Sequence, residues 1–285
     1  MFYYLLMFAA LWGIAVTILA RNYRTPYYRW VGISLLVAGC ASFAFSIHAP
    51  IMPFLESRGL LSQPLQRSLE LVSIPAFWLY WYGLGYFVLV GAIHFANVFP
   101  SRGKSASAIA FAVPVVALWL STADFAIPFE LDVRDVRMLN GLYIGAAIVL
   151  YLAATWKEKD LPRRKNRLRT TIVLMSSAGF AYINDFAGMN RIAFGGRDFT
   201  SESNGLWAYN YLIVCWIVLG FLFYGLKYGF LGVKLRVEEQ NGEDSMRIMA
   251  HGAHILNHAF KNEIAKIHYL TERASSSLKE ERSDK

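Results

Sequence analysis

One short segment near the C-terminus carries residue types that could do chemistry. Within residues 255–264, His258 precedes Lys261 by three positions and Asn262 by four. Side chains at these spacings are neighbours on one face of a helix. A neutral imidazole presents a nucleophilic nitrogen near physiological pH, and a lysine and an amide beside it can contact phosphate oxygens. The segment therefore indicates a nucleophile placed next to groups that bind phosphate.

The helix that would position His258 is predicted to be amphipathic. From Met246 onward, apolar residues recur at steps of three or four, which is the spacing of one helix face. These residues are Met246, Met249, Ala253, Leu256, Phe260, Ile264, Ile267, Leu270 and Ala274. At about 100° per residue, His258 falls nearly opposite this face, on the same side as His251 and His254. Because the apolar face requires a partner helix, as in a coiled coil or four-helix bundle, we expect a homodimer.

The residues upstream predict a membrane domain. The chain has 285 residues, of which 56% are hydrophobic and 17% charged, and it is too apolar for one soluble domain. A hydrocarbon core about 30 Å thick requires about 20 apolar residues in a helix. Seven stretches meet this requirement, near residues 2–20, 30–48, 71–98, 107–123, 138–155, 171–189 and 207–233. The predicted fold is therefore all-α, a seven-transmembrane helix bundle followed by an amphipathic dimerisation helix.

The distribution of charge predicts the orientation of this bundle, because short cytoplasmic loops carry an excess of lysine and arginine. The odd-numbered loops hold Arg21, Arg24, Arg29, Arg102, Lys104, Lys157, Lys159, Arg163, Arg164, Lys165, Arg167 and Arg169. The even-numbered loops hold most of the loop acids, namely Glu56, Asp124, Glu130, Asp132, Asp135, Asp198 and Glu202. The N-terminus is then outside, and the C-terminal helix is cytoplasmic, where ATP is available. The net charge of +8 is assigned to contacts with anionic membrane lipid, and we expect no nucleic-acid partner.

The motif His-Ala-Phe-Lys-Asn-Glu at residues 258–263 resembles the H box of the seven-span membrane sensor histidine kinases of bacteria. The resemblance implies that His258 is the phosphorylated residue. It also implies that Lys261 and Asn262 assist phosphoryl transfer or dephosphorylation, with Glu263 in support. The implied location is the bacterial inner membrane, and the implied partner is a response regulator in a two-component system.

The same resemblance divides the chain into three parts. Residues 1–233 would form a seven-span membrane sensor domain, and 234–245 a linker like that family's link from the last span to the kinase core. Residues 246–285 would form the first helix of a truncated dimerisation and histidine-phosphotransfer domain. The chain departs from the family pattern at Ala259, where many members have an acidic residue, and contains neither a glycine-rich nucleotide box nor an asparagine-bearing metal box. We therefore expect no cofactor in this chain, with ATP and Mg²⁺ implied for a catalytic domain supplied in cis or in trans.

Polar residues inside apolar helices are costly and often functional, which makes them candidates for the sensing site. Asp185, flanked by Asn184 near the outer end of the sixth segment, is the predicted contact for a ligand or a proton. The aromatic run at 77–82 is predicted either to line a pocket or to form an interfacial belt. Glycines such as Gly85 are expected to allow close packing of helices.

Other functions are compatible with these patterns. The chain could be a transporter or an integral-membrane enzyme with its site among the spans, or a non-catalytic scaffold that dimerises through its tail. His251, His254 and His258 share the spacing of a metal cluster, but no carboxylate or cysteine lies on the same face. No metal site is therefore predicted.

Overall fold

Each of the seven predicted apolar segments overlaps a long helix in the computed structural model of the protein. The structure describes residues 3–122, 129–195 and 198–228, together with Lys261 and Lys266. The chain divides into two compact units, Met1–Leu235 and Arg236–Lys285. The first unit is mainly helical, as predicted, and also contains a small β-sheet that was not predicted. In the second unit Lys261 and Lys266 are helical and exposed.

The helices are named in chain order. Their bounds are α1 Tyr3–Asn22, α2 Pro26–Ser46, α3 Met52–Ser57, α4 Gln63–Ala96, α5 Ser101–Thr122, α6 Val133–Lys157, α7 Leu161–Ala181 and α8 Asn210–Tyr228. Two π-helical turns, Ile47–Ile51 and Tyr182–Phe186, extend α2 and α7, and a short 3₁₀ turn, Leu206–Tyr209, precedes α8.

Several of these helices are suited to a bilayer. Five of the helices in the described part of the chain are long and apolar enough to cross a membrane: Tyr3–Asn22, Pro26–Ser57, Gln63–Ala96, Arg102–Thr122 and Val133–Lys157. A shorter apolar helix spans Asn210–Phe223. Many large apolar side chains on these helices remain exposed in the isolated chain, such as Leu6, Ile109 and Val149. A soluble protein rarely exposes apolar surface on this scale, so we conclude that this is a membrane protein.

Six of the helices form a closed ring. Neighbouring helices pack in the order α1, α2, α4, α6, α7 and α8, and α8 packs back against α1. Helix α5 lies outside the ring, where it contacts α4 and α6. The first and last long helices of the described region are therefore neighbours.

Local sequence signals explain where several helices begin. Proline occupies the first turn of α2, α4 and α7, at Pro26, Pro64 and Pro162, where its missing N–H is not needed for helix hydrogen bonding. Helix α6 is capped by Asp132, whose carboxylate accepts a hydrogen bond from the backbone N–H of Arg134 at 2.9 Å. The Arg134 side chain also donates to this carboxylate and holds the pKa of Asp132 below its ordinary value.

The β-sheet joins two loops at one end of the bundle. Its strands are β1 Phe129–Asp132, β2 Met189–Gly195 and β3 Asp198–Ser203, paired antiparallel in the order β1-β2-β3. Strand β1 lies between α5 and α6, whereas β2 and β3 lie between α7 and α8. We call this end the sheet end. The opposite end carries the basic loop between α6 and α7, and we call it the basic end.

Helices α4 and α6 approach each other closely at Gly85. The Asn140 side chain of α6 accepts a hydrogen bond from the Gly85 N–H at 2.9 Å and donates one to the Trp81 carbonyl, also at 2.9 Å. These two backbone groups are four residues apart and pair with each other in an ordinary α-helix. The Asn140 side-chain amide therefore hydrogen-bonds to both the N–H and the carbonyl of one such pair in α4. This contact is fully buried and holds α4 and α6 together.

Candidate functional site

The predicted phosphoacceptor motif lies almost entirely outside the described residues. This applies to His258, Asn262 and Glu263, and to the histidines of the alternative metal cluster, His251 and His254. Lys261 is described, and it is helical and exposed. The geometry of phosphoryl transfer at His258 therefore stays a prediction.

The described part of the first unit contains a cavity at the centre of the helix ring. Its volume is about 130 Å³, and every ring helix contributes to its wall. The contributions include Tyr4 from α1, Leu35 from α2, Leu84 from α4, Tyr151 from α6, Met175 from α7 and Val214 from α8. Since one water molecule needs about 10–15 Å³, the cavity is several times larger than a single hydration site.

Asp185 lies in the wall of this cavity, at the sheet end. It is only 6% exposed and belongs to the π-helical turn that follows α7. One carboxylate oxygen accepts a hydrogen bond from the Tyr80 hydroxyl of α4, and the other accepts one from the Asn210 amide of α8. The carboxylate therefore connects α4, α7 and α8 across the ring, although the three residues are far apart in sequence.

Asn184, the other residue predicted for the sensing site, extends this cluster. It is 5% exposed, and its amide donates a hydrogen bond to the Asn210 side-chain oxygen at 3.2 Å. Asn210 thus receives a hydrogen bond from Asn184 and gives one to Asp185. Asn184 and Asp185, which are neighbours in sequence, therefore both hydrogen-bond to Asn210, the first residue of α8.

Arg137 of α6 holds the turn that carries these residues. Its guanidinium donates to the Phe186 carbonyl at 2.6 Å, to the Met189 carbonyl at 2.9 Å and to the Asn190 side chain at 3.0 Å. The acceptors follow the C-terminal end of α7, where free carbonyl groups and the helix dipole favour a cation. The planar guanidinium carries five N–H donors in a fixed fork, so it can satisfy several separated acceptors at once.

Replacing Arg137 with glutamine should destabilise the protein by about 1–2 kcal/mol, because hydrogen bonds from a charged donor are lost. Arg134→Gln is a matched control, since that arginine lies three positions earlier and its side chain is 72% exposed beside Asp132. An exposed pair of this kind contributes at most about 1 kcal/mol. Thermal unfolding in detergent micelles would measure both changes. Equal losses for the two variants would contradict the role assigned to Arg137.

The aromatic run at 77–82 is divided between two environments. Phe77, Tyr80 and Trp81 are buried in the core. Trp78 and Tyr82 are buried as well, and they also line a second, apolar cavity of about 370 Å³ between α4 and α5. The run therefore serves both core packing and the α4–α5 interface.

Sequence reasoning missed two members of the Asp185 cluster. Tyr80 was noted only as part of the aromatic run, and Asn210 was not singled out. A signal was present for Asn210, because it is a polar residue at the start of an apolar segment. A second buried polar group was also missed, in which the His48 ring and the Ser73 hydroxyl lie 2.8 Å apart. No cluster of three or more potential metal ligands occurs among the residues that the structure describes.

Comparisons with known proteins give no relative: no protein-family model, no curated protein and no solved structure matches this chain.

Proposed function

We propose that this chain is the membrane sensor and phosphoacceptor portion of a two-component histidine kinase. His258 receives the phosphoryl group, and a catalytic domain outside these residues supplies it from ATP and Mg²⁺. The observation that carries the proposal is the H-box motif at 258–263, which follows a predominantly helical, apolar domain. The helical, exposed state of Lys261 is consistent with a solvated helix at this position.

The proposed arrangement is seven spans in the bacterial inner membrane, with the basic end in the cytoplasm. Support comes from the distribution of charge, since the basic loops and the β-sheet lie at opposite ends of the bundle. Strand β1 lies in the fourth loop and β2 in the sixth, so their pairing puts both loops at the same end of the bundle. Helices that cross the membrane in alternating directions require this arrangement. In this orientation Asp185 faces the outer side, and the C-terminal helix lies where ATP is available.

The route of the signal is proposed to run through α8. This helix borders the central cavity, contributes Asn210 to the Asp185 cluster and packs against α1 and α7. A ligand that favours one position of α8 would shift the equilibrium between two states of the chain. The linker at 234–245 would pass this shift to the dimerisation helix, so inserting a few residues near Gly242 should scramble the response.

Phosphoryl transfer tests the proposal. The full chain is reconstituted in vesicles, and a soluble ATP-binding histidine-kinase core is added with Mg²⁺ and γ-labelled ATP. We expect label on the chain that is lost in acid and retained in alkali, as for a phosphoramidate on histidine. Absence of label with several such cores, or alkali-labile label, would overturn the phosphoacceptor function.

The cavity also favours one second candidate, a transporter with its site among the spans. A transporter would use the cavity around Asp185 as a binding site that opens alternately to each side of the membrane. Uptake of radiolabelled solute into vesicles, dependent on Asp185, would support this alternative. Phosphorylation of the chain without measurable solute flux would exclude it.

A further inference from the structure

The central cavity combines one acidic group with an otherwise apolar wall. Among its described lining residues there is no lysine, arginine or histidine, and Asp185 is the carboxylate. Most of the remaining residues are aliphatic or aromatic, such as Leu11, Leu84 and Ile217. A ligand with an anionic head group would be repelled by the Asp185 carboxylate, and none of these lining residues is a cation that would attract it. Charge complementarity therefore favours a ligand that donates hydrogen bonds.

The Asp185 carboxylate has capacity for such a donor. An ionised carboxylate offers about four acceptor positions, and Tyr80 and Asn210 occupy two of them. The cavity serines Ser34, Ser42 and Ser177 are weaker acceptors, because a neutral hydroxyl makes weaker hydrogen bonds than an ionised carboxylate. Asp185 is thus the strongest acceptor in the cavity wall for an incoming donor.

The lining residues give the cavity a direction. Asp185 and Asn210 mark its sheet end, while Gly91 and Tyr151, near the ends of α4 and α6, mark the side toward the basic end. Apolar side chains line the space between these two pairs. A ligand with one polar end and an aliphatic chain matches this distribution, because each part meets a wall of its own polarity.

We infer that the cavity binds a short single-chain aliphatic amphiphile whose alcohol or amine head group donates a hydrogen bond to Asp185, with its chain directed toward Tyr151. A chain of about six carbons fits the cavity volume of about 130 Å³, since an apolar cavity of about 150 Å³ binds benzene. The inference rests on the proposed sensor function for its biological meaning and names the class of ligand that would be sensed. Binding itself does not require His258 or a kinase core.

A photocrosslinking competition tests the inference. The full chain in phosphatidylcholine vesicles is exposed to hexylamine bearing a diazirine in its chain, and crosslinked residues are mapped by mass spectrometry. We expect saturable labelling of cavity residues such as Leu84 and Met175. Hexylamine or hexanol should compete, and hexanoate should be about tenfold weaker, because it brings a second carboxylate to Asp185.

Two variants separate the roles of head group and chain. Asp185→Asn should remove the preference for the donor head group, whereas Asp135→Asn, an exposed carboxylate at the same end, should leave it unchanged. Ala178→Leu should block the chain by filling the cavity, whereas Ala146→Leu on an exposed position of α6 should not. Thermal unfolding confirms that each variant is folded before binding is compared.

Labelling that does not saturate, labelling confined to lipid-facing residues, or equal competition by hexanoate would overturn the inference. Competition by the amine alone would identify a cationic head group, and competition by the alcohol alone a neutral one; both outcomes support it. Saturable labelling of a chain that accepts no phosphoryl group would reject the proposed function while leaving this ligand class in place. Phosphorylation of the chain without saturable labelling would support the proposed function and reject this ligand class.

Discussion

Replacing His258 with glutamine should reduce phosphoryl transfer to this chain to background, a loss of at least ~100-fold, because glutamine has no nucleophilic nitrogen. Glutamine retains hydrogen-bonding capacity and favours the helix, so the variant should fold and dimerise normally. The measurement is incorporation of label from γ-labelled ATP into the full chain in vesicles, with a kinase core in excess.

His254→Gln is the matched control, because residue 254 lies one turn earlier on the same predicted helix face. It should retain at least about half of the label, since its ring lies outside the motif. A chain that loses label equally in both variants would indicate that the helix, rather than one imidazole, is required. Retention of label in His258→Gln would place the acceptor on another residue and contradict the assignment.

Replacing Gly85 with leucine should cause a large loss of stability, about 3 kcal/mol, because α4 and α6 would have to separate. A Cβ at this position would lie 2.6 Å from the Asn140 side-chain oxygen and 3.2 Å from the Asn140 Cα. The side chain of Asn140 can rotate away, but its backbone cannot. The hydrogen bonds that bridge Gly85 and Trp81 would be lost as the helices move apart.

Gly145→Leu is the matched control, because an added Cβ there meets nothing within 4 Å. This change should be neutral or slightly stabilising, since glycine in a helix is less favourable than most residues by up to about 1 kcal/mol. Asn140→Ala in the Gly85→Leu background should relieve part of the clash, so that the losses are not additive. Thermal unfolding in micelles measures these three variants and the Asn140→Ala single variant, which the test of additivity requires. Similar melting temperatures for Gly85→Leu and Gly145→Leu would contradict the close contact.

The apolar segments located the long helices well, but two of the boundaries show what hydropathy misses. Helix α4 begins at Gln63, although its apolar segment was placed at 71–98, and α7 begins at Leu161 rather than near 171. Both helices start with polar or basic turns. Backbone hydrogen bonding continues through such turns, whereas an apolar count stops at the first charged residues.

The β-sheet was not predicted because its pairing depends on distant parts of the chain. Strand β1 is four residues long and pairs with residues about sixty positions later, such as Phe129 with Phe194. One local signal is present, since the Gly-Gly pair at residues 195–196, which begins at the last residue of β2, is typical of a hairpin turn. Hydropathy alone gives no weight to this signal.

Burial of the polar residues around Asp185 is predicted in part from the sequence. Polar groups are unfavourable inside apolar helices, which singles out Asp185 and Asn184, and both are buried at the sheet end. Their partners could not be found in this way. Tyr80 lies 105 residues from Asp185 in sequence, and the ring of helices alone brings the two together.

The order of the ring also constrains how the protein is made. Because α8 closes the ring between α7 and α1, the cavity has a gap in its wall until this last helix enters the bilayer. A nascent chain released before residue 210 would therefore present an open groove with Asp185 facing acyl chains, and only a chain that includes α8 would complete the cavity wall. Binding of the ligand proposed above would thus have to wait until α8 has been translated.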